Sequence, residues 1–156
     1  MRIGLISDTH GQLRNAVLEH FEGVDLILHA GDVGEPDIIA ALEAVAPVEA
    51  VFGNTDGFRT RSLLRDTIVH EAGGRILVVV HGDRFGAPTP ARLHAEWPDA
   101  DVVVFGHTHR PTLETIGSTL FVNPGAAGPA RHDIRPSVAI LSLDEGAPDV
   151  RFIEID

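Results

Sequence analysis

The chain contains no cysteine and no lysine. Without thiols, disulfide staples, thiolate metal sites and cysteine nucleophiles are all excluded. All twelve basic side chains are arginine, and against 23 Asp and Glu they leave a formal net charge of −11. A surface this acidic repels a phosphate backbone, so nucleic acid is not an expected partner. No apolar run approaches the ~20 residues of a membrane span, so no membrane is expected either. The opening run Met1 to Ile6 is too short for a signal-peptide core, and Ser7-Asp8 comes after it where a small-residue cleavage site would stand. A cytoplasmic protein is the expectation. A length of 156 residues predicts a single domain over 1–156, able to bury ~70% of its unfolded surface.

The first half of the chain alternates. Ile3 to Ile6 reads as a strand, and Gln12 to Phe21 as a helix with Leu13, Val17, Leu18 and Phe21 on one face. Val24 to Leu28 reads as a second strand. Glu35-Pro36 opens a second helix carrying Ile38, Ile39 and Leu42 and stopping before Pro47. Proline is tolerated in a first turn, where its missing N–H costs little. Val48 to Phe52 is a third strand. This βαβαβ order implies neighbouring parallel strands with right-handed crossovers.

The second half changes character. Thr67 to Glu71 and Arg75 to Val80 form a predicted hairpin around Gly73-Gly74. A short helix is expected over Pro90 to Trp97, then a strand over Asp101 to Phe105. Thr112–Ile116, Thr119–Val122, Val138–Leu143 and Val150–Ile155 complete the strands. That is too many for one open sheet in a chain of this size. The expected class is therefore α/β, with two stacked sheets of mixed parallel and antiparallel strands flanked by helices.

The chemistry lies at the ends of the apolar runs. Ser7-Asp8-Thr9-His10, His29-Ala30-Gly31-Asp32, Gly53-Asn54-Thr55-Asp56, His81-Gly82-Asp83 and Gly106-His107-Thr108-His109 each come directly after a predicted strand. Ligands of parallel α/β layouts bind at the carboxyl ends of strands, so side chains remote in sequence converge there. Asp8, His10, Asp32, Asn54, His81, His107 and His109 offer two carboxylates, one amide and four imidazoles. Such oxygen and nitrogen donors without sulfur suit Mn, Fe, Zn, Co or Ni better than Ca or Mg. Seven donors exceed the four taken by one structural zinc, so two ions are the economical reading. A carboxylate such as Asp32 can bridge them, one oxygen to each. Paired ions ~3.5–4 Å apart clamp both oxygens of an in-line displacement.

Asp8-x-His10, Gly31-Asp32, Gly53-Asn54, His81 and Gly106-His107-x-His109 together resemble the calcineurin-like metallophosphoesterase superfamily. The opening Ser7 to Gly11 and the stretch Asn123-Pro124-Gly125…Pro129-Arg131 are similar to its small bacterial and archaeal phosphodiesterase branch. The resemblance implies an αββα sandwich and two divalent ions, Mn foremost, with Ni, Fe, Co or Zn as alternatives. It implies that Asp8, His10, Asp32 and His109 hold one ion and Asp32, Asn54, His81 and His107 the other. Asn54 and His107 are the expected catalytic residues, and Arg131 is expected either to contact the substrate, as a bidentate partner of a phosphate oxygen, or merely to pair with Asp133. The implied reaction is hydrolysis of a small phosphodiester by a metal-bridging hydroxide, in a chain for which a homo-oligomer stays open. Two rivals remain: a non-catalytic interaction scaffold, as in the retromer subunit that shares the fold, and a nuclease or protein phosphatase.

The chain departs from the family in one place: Thr55 comes after the Gly-Asn pair where many members carry a proton-donating His. Other residues have plainer readings. Asp56 is expected to be a turn residue in preference to one that positions the loop or a water, and His29 a satisfied hydrogen-bonding group. His20, His70, His94 and His132 are expected to be solvated, and Trp97 to be local core.

Overall fold

In the computed structural model, which describes residues 1–156, the elements run β1 (Arg2–Ile6), α1 (Asn15–His20), β2 (Leu26–His29), α2 (Pro36–Glu43), β3 (Val48–Ala50), α3 (Phe58–Arg61), β4 (Thr67–Ala72) and β5 (Arg75–Val80). They continue with α4 (Pro90–Glu96), β6 (Val102–Val104), β7 (Thr112–Ile116), β8 (Thr119–Asn123), β9 (Ser137–Ser142) and β10 (Asp149–Glu154). The strands form two five-stranded sheets, ordered β10-β9-β1-β2-β3 and β4-β5-β6-β8-β7. In the first, β1, β2 and β3 are parallel, and β9 and β10 add antiparallel strands. In the second, β5, β6 and β8 are parallel between the antiparallel edges β4 and β7.

Because strand side chains alternate between faces, each sheet is apolar on both sides. Ile3, Leu5, Leu28 and Leu141 of the first sheet meet Leu77, Val79, Val104 and Val122 of the second in the core between them. Ile6, Ile27 and Ile140 point the other way, onto Val17 of α1, Phe21 at its C-terminal end, and Ile38 and Leu42 of α2. Val78, Val80, Val103 and Phe121 lie under Leu93 of α4. Three apolar layers between sheets and helices give the αββα sandwich expected from the sequence.

Several boundaries differ from the sequence expectation. Gln12 N donates to Thr9 O in a turn, so α1 begins at Asn15. β3 ends at Ala50 because Val51 pairs instead with Arg65, whose carbonyl accepts from Phe52 N. The intervening helix α3 was not expected. Thr89 caps α4 by accepting from Arg92 N, with Pro90 in the first turn.

Two histidines expected to be solvated are not. His70 Nδ1 lies 2.8 Å from Glu49 Oε1, tying edge β4 to edge β3 across the two sheets. His94 is half-buried, its ring edge-on to Phe121. Trp97 packs edge-on against Phe85, as local core. A cavity of ≈590 Å³ lies between α2, β3 and β4, lined by residues that include Ile39, Leu64, Ile68, Glu49 and His70. None of its lining residues is among the seven expected metal donors.

Candidate metal centre

Five strands deliver the seven donors. Asp8 and His10 follow β1, Asp32 follows β2, Asn54 follows β3, His81 follows β5, and His107 and His109 follow β6. The loops converge into two adjoining groups. Asp8, His10 and His109 each present one ligand atom within 4.8 Å of the others, and Asp32, His81 and His107 do the same.

In the first group the Asp8 carboxylate is fully buried. Its Oδ2 accepts from Ser7 Oγ at 2.6 Å and from His107 N at 3.2 Å. Its Oδ1 has no hydrogen-bond partner. That oxygen lies 3.2 Å from His109 Nε2 and 3.8 Å from His10 Nε2. The two imidazole nitrogens approach to 3.3 Å. A buried carboxylate oxygen without a partner is costly. A cation between it and the two ring nitrogens would relieve that cost, so the donors fit a divalent ion.

Asp32 joins the groups. Its Oδ1 is occupied by Thr55 N–H at 2.9 Å, while Oδ2 lies 3.2 Å from His81 Nε2 and 3.9 Å from His10 Nε2. Oδ2 therefore faces both groups, while Oδ1 accepts from the backbone. Asn54 Oδ1 stands 3.1 Å from His81 Nε2 and 3.2 Å from His107 Nδ1. His81 Nδ1 lies 2.8 Å from Ala30 O and donates to it, which leaves Nε2 for the cluster.

The electrostatics reflect this crowding. Burial alone would lower the His81 pKa, but its bond to Asp32 and the charges of Asp8 and Asp32 push it up to about 8. Burial would raise that of Asp32, yet bonds from His81 and Thr55 hold it well below the usual carboxylate range. Burial lowers the His10 pKa against the opposing pull of Asp32 and Asp8.

The backbone is unusual in the same place. Asp8, His10, Asp32, His107 and His109 all have positive φ, between 47° and 69°, and His132 is the only other non-glycine residue that does. Left-handed conformations cost non-glycine residues about 1–3 kcal/mol and persist where surroundings over-determine them. Here His10 N donates to Asp32 O, Asp8 N to Gly31 O, and Gly128 N to Asp8 O. Glycine is required where the loops touch. A Cβ on Gly53 would stand 2.1 Å from Asp32 Oδ1, and one on Gly106 2.1 Å from Ser7 Oγ.

Residues outside the donor set support the donors. Asn123 is fully buried, and its Nδ2 donates to Gly106 O and Thr108 Oγ1, fixing the loop of His107 and His109. His29 accepts from Gly31 N at Nδ1, so Nε2 carries the proton and donates to Thr9 Oγ1, which donates to Val33 O. Burial lowers its pKa to about 4, so it is neutral. The expectation of a satisfied His29 holds. Thr55 is exposed, with Oγ1 3.5 Å from His10 Nδ1. Arg131 is exposed, borders the same depression as His109, and contributes to lowering the His10 pKa. His20 and His132 are exposed, as expected.

The chain is similar to known proteins in sequence and in fold. A probable metallophosphoesterase of Methanothermobacter thermautotrophicus is 37% identical over 98% of this chain and 92% of its own length. A phosphodiesterase of Methanocaldococcus jannaschii is 30% identical over 93% of this chain and 95% of its own. Among solved structures, an archaeal phosphodiesterase superposes with a TM-score of 0.82 at 28% identity, over 99% of this chain and 100% of that one. Vps29 of Chaetomium thermophilum superposes with a TM-score of 0.80 over 99% of this chain and 96% of its own, at 19% identity, a likeness of fold alone. Residues 1–146 match the calcineurin-like phosphoesterase superfamily domain, and the chain belongs to that superfamily.

Proposed function

We propose that this protein is a dinuclear metal-dependent phosphodiesterase acting on a small phosphodiester in the cytoplasm. Asp8, His10, Asp32 and His109 hold one divalent ion, and Asp32, Asn54, His81 and His107 the other. The observation that carries the reading is Asp32 Oδ2, which lies 3.2 Å from His81 of one group and 3.9 Å from His10 of the other. Mn is the first candidate, with Ni, Fe, Co and Zn equally compatible with oxygen and nitrogen donors. The 30% identical relative named as a phosphodiesterase supports the diester class.

When bound, a pair of divalent ions supplies a water-derived nucleophile near neutral pH and offsets charge at phosphorus. The chain's own groups do the rest. Asn54 turns Oδ1 to the histidines, which leaves its Nδ2 protons for an oxygen of the transferring phosphoryl group. His107 uses Nδ1 within the cluster, so its Nε2–H remains a donor to the same group. Arg131 binds a substrate oxygen at the rim. Thr55 offers no proton to the departing oxygen, so the leaving group must carry its own charge.

A non-catalytic scaffold would have no use for a buried Asp8 oxygen lacking a partner, and the acidic surface disfavours a nucleic-acid polymer.

The test is elemental analysis after Mn loading, alongside hydrolysis of bis(p-nitrophenyl) phosphate. Two equivalents per chain and turnover are expected. Asp32→Ala should abolish turnover and most metal uptake, whereas His20→Ala, on the exposed face of α1, should leave both unchanged. A stoichiometry that never exceeds one ion would overturn the dinuclear assignment.

A further inference from the structure

Asp56 does more than make a turn. Its carboxylate is buried, 4% exposed, and accepts three backbone N–H groups: Gly34 at 2.8 Å, Gly53 at 2.9 Å and Val33 at 3.1 Å. Only Gly53 is local. Val33 and Gly34 lie 23 and 22 residues away, directly after Asp32. Gly53 directly precedes Asn54. The carboxylate thus clamps the loop carrying Asp32 to the loop carrying Asn54.

The residue type matters as much as the place. A carboxylate has acceptors only, and all three groups facing it are donors. An amide of the same shape would turn an N–H₂ toward at least one N–H, leaving that buried donor unpaired. Asp56 is itself held: Arg61 Nε donates to Asp56 O at 2.7 Å and Nη2 to Gly53 O at 3.1 Å. The Arg61 guanidinium is in turn stacked on Phe52 at 4.6 Å.

We infer that Asp56 is a positioning residue that sets Asp32 against Asn54 and so builds the second ion site, the one completed by His81 and His107. This rests on the proposed two-ion reading. Of the first ion's donors only Asp32 adjoins the clamp, while Asp8, His10 and His109 stand on the loops after β1 and β6, which Asp56 does not touch. The second ion has two donors beside it, Asp32 and Asn54. Loss of the clamp therefore falls unevenly on the two sites, whereas a merely structural loss would weaken both alike.

The experiment is a Zn(II) titration of the metal-stripped full chain, tracked through the ring ¹⁵N signals of its histidines, with melting temperature measured in parallel. In the wild type both pairs, His10 with His109 and His81 with His107, should respond. In Asp56→Asn the His81–His107 pair should need about 10–100-fold more Zn(II), the usual cost of losing a group that orients ligands, while the His10–His109 pair stays within about twofold. Arg61→Met keeps the packing on Phe52 and leaves no unpaired amide, so it should shift the same pair by a smaller factor. It decides the matter if Asp56→Asn does not fold. Equal shifts in both pairs, or none, would overturn the role of Asp56. A wild type in which only one pair responds would overturn the two-ion reading first, and is distinguishable because it needs no variant.

Discussion

His81 turns its two ring nitrogens to different partners: Nδ1 donates to Ala30 O at 2.8 Å, and Nε2 lies 3.2 Å from Asp32 Oδ2. The ring's orientation is therefore set before any ion arrives, by the same carbonyl contact that often fixes metal-bound histidines. On Zn(II) addition, Nδ1 should keep its proton and Nε2 should take the metal-bound ¹⁵N shift. Metal-type shifts at Nδ1 would show that the assigned ligand atom is wrong.

Thr55 makes a kinetic signature. General acid catalysis is typically worth ~10²–10⁴-fold, and its absence weighs most on poor leaving groups. Aryl phosphodiesters should be cleaved far faster than alkyl ones, with a steep dependence on leaving-group pKa. Because Thr55 Oγ1 approaches His10 Nδ1 to 3.5 Å, Thr55→His places an imidazole beside the cluster and should flatten that dependence. A slope near zero in the unmodified protein would mean that another group supplies the proton.

His29 ties stability to pH. Its folded pKa of about 4 lies below the ordinary 6.5, so the unfolded chain binds the extra proton first. The stabilisation it contributes is full above pH 6.5 and is lost as pH falls toward 4. The total is on the order of 3 kcal/mol for a shift of this size. His29→Gln keeps a donor for Thr9 but cannot titrate. Urea denaturation of metal-free protein between pH 6.5 and 4.5 should show a shallower loss in this variant than in wild type. Identical slopes would remove His29 as the cause.

Gly106 and Gly57 form a matched pair. A Cβ on Gly106 would meet Ser7 Oγ at 2.1 Å and Asp8 Oδ2 at 2.8 Å, while one on Gly57 meets nothing within 4 Å. Gly106→Ala should cost about 1–3 kcal/mol by overpacking and weaken ion uptake at Asp8. Gly57→Ala, at φ −79°, should be neutral or slightly stabilising. Thermal melts of both variants check this, and an unperturbed Gly106→Ala would refute the close approach.

The convergence of Asp8, His10, Asp32, Asn54, His81, His107 and His109 was legible because each closes or trails an apolar run, and parallel strands end together. The two-sheet sandwich was legible from strand count and period. Partners fixed only by tertiary packing were not. Val51 leaves β3 for Arg65, a pairing that no local pattern announces. His70 and His94 read as surface groups because Glu49 and Phe121 lie far off in sequence. Asp56 read as a turn former because its distant amides, Val33 and Gly34, carry no side-chain signal.

Each donor group draws on both sheets: Asp8 and His10 leave β1 in one, and His109, 99 residues beyond His10, lies past β6 in the other. An ion seated there is a detachable rivet between two layers joined elsewhere mainly by apolar contact, and it closes a long stretch of chain. Constraints of that span act chiefly on the unfolded ensemble. Chelation would therefore loosen the whole sandwich rather than one loop, and the metal-free chain would be the form that proteases find first.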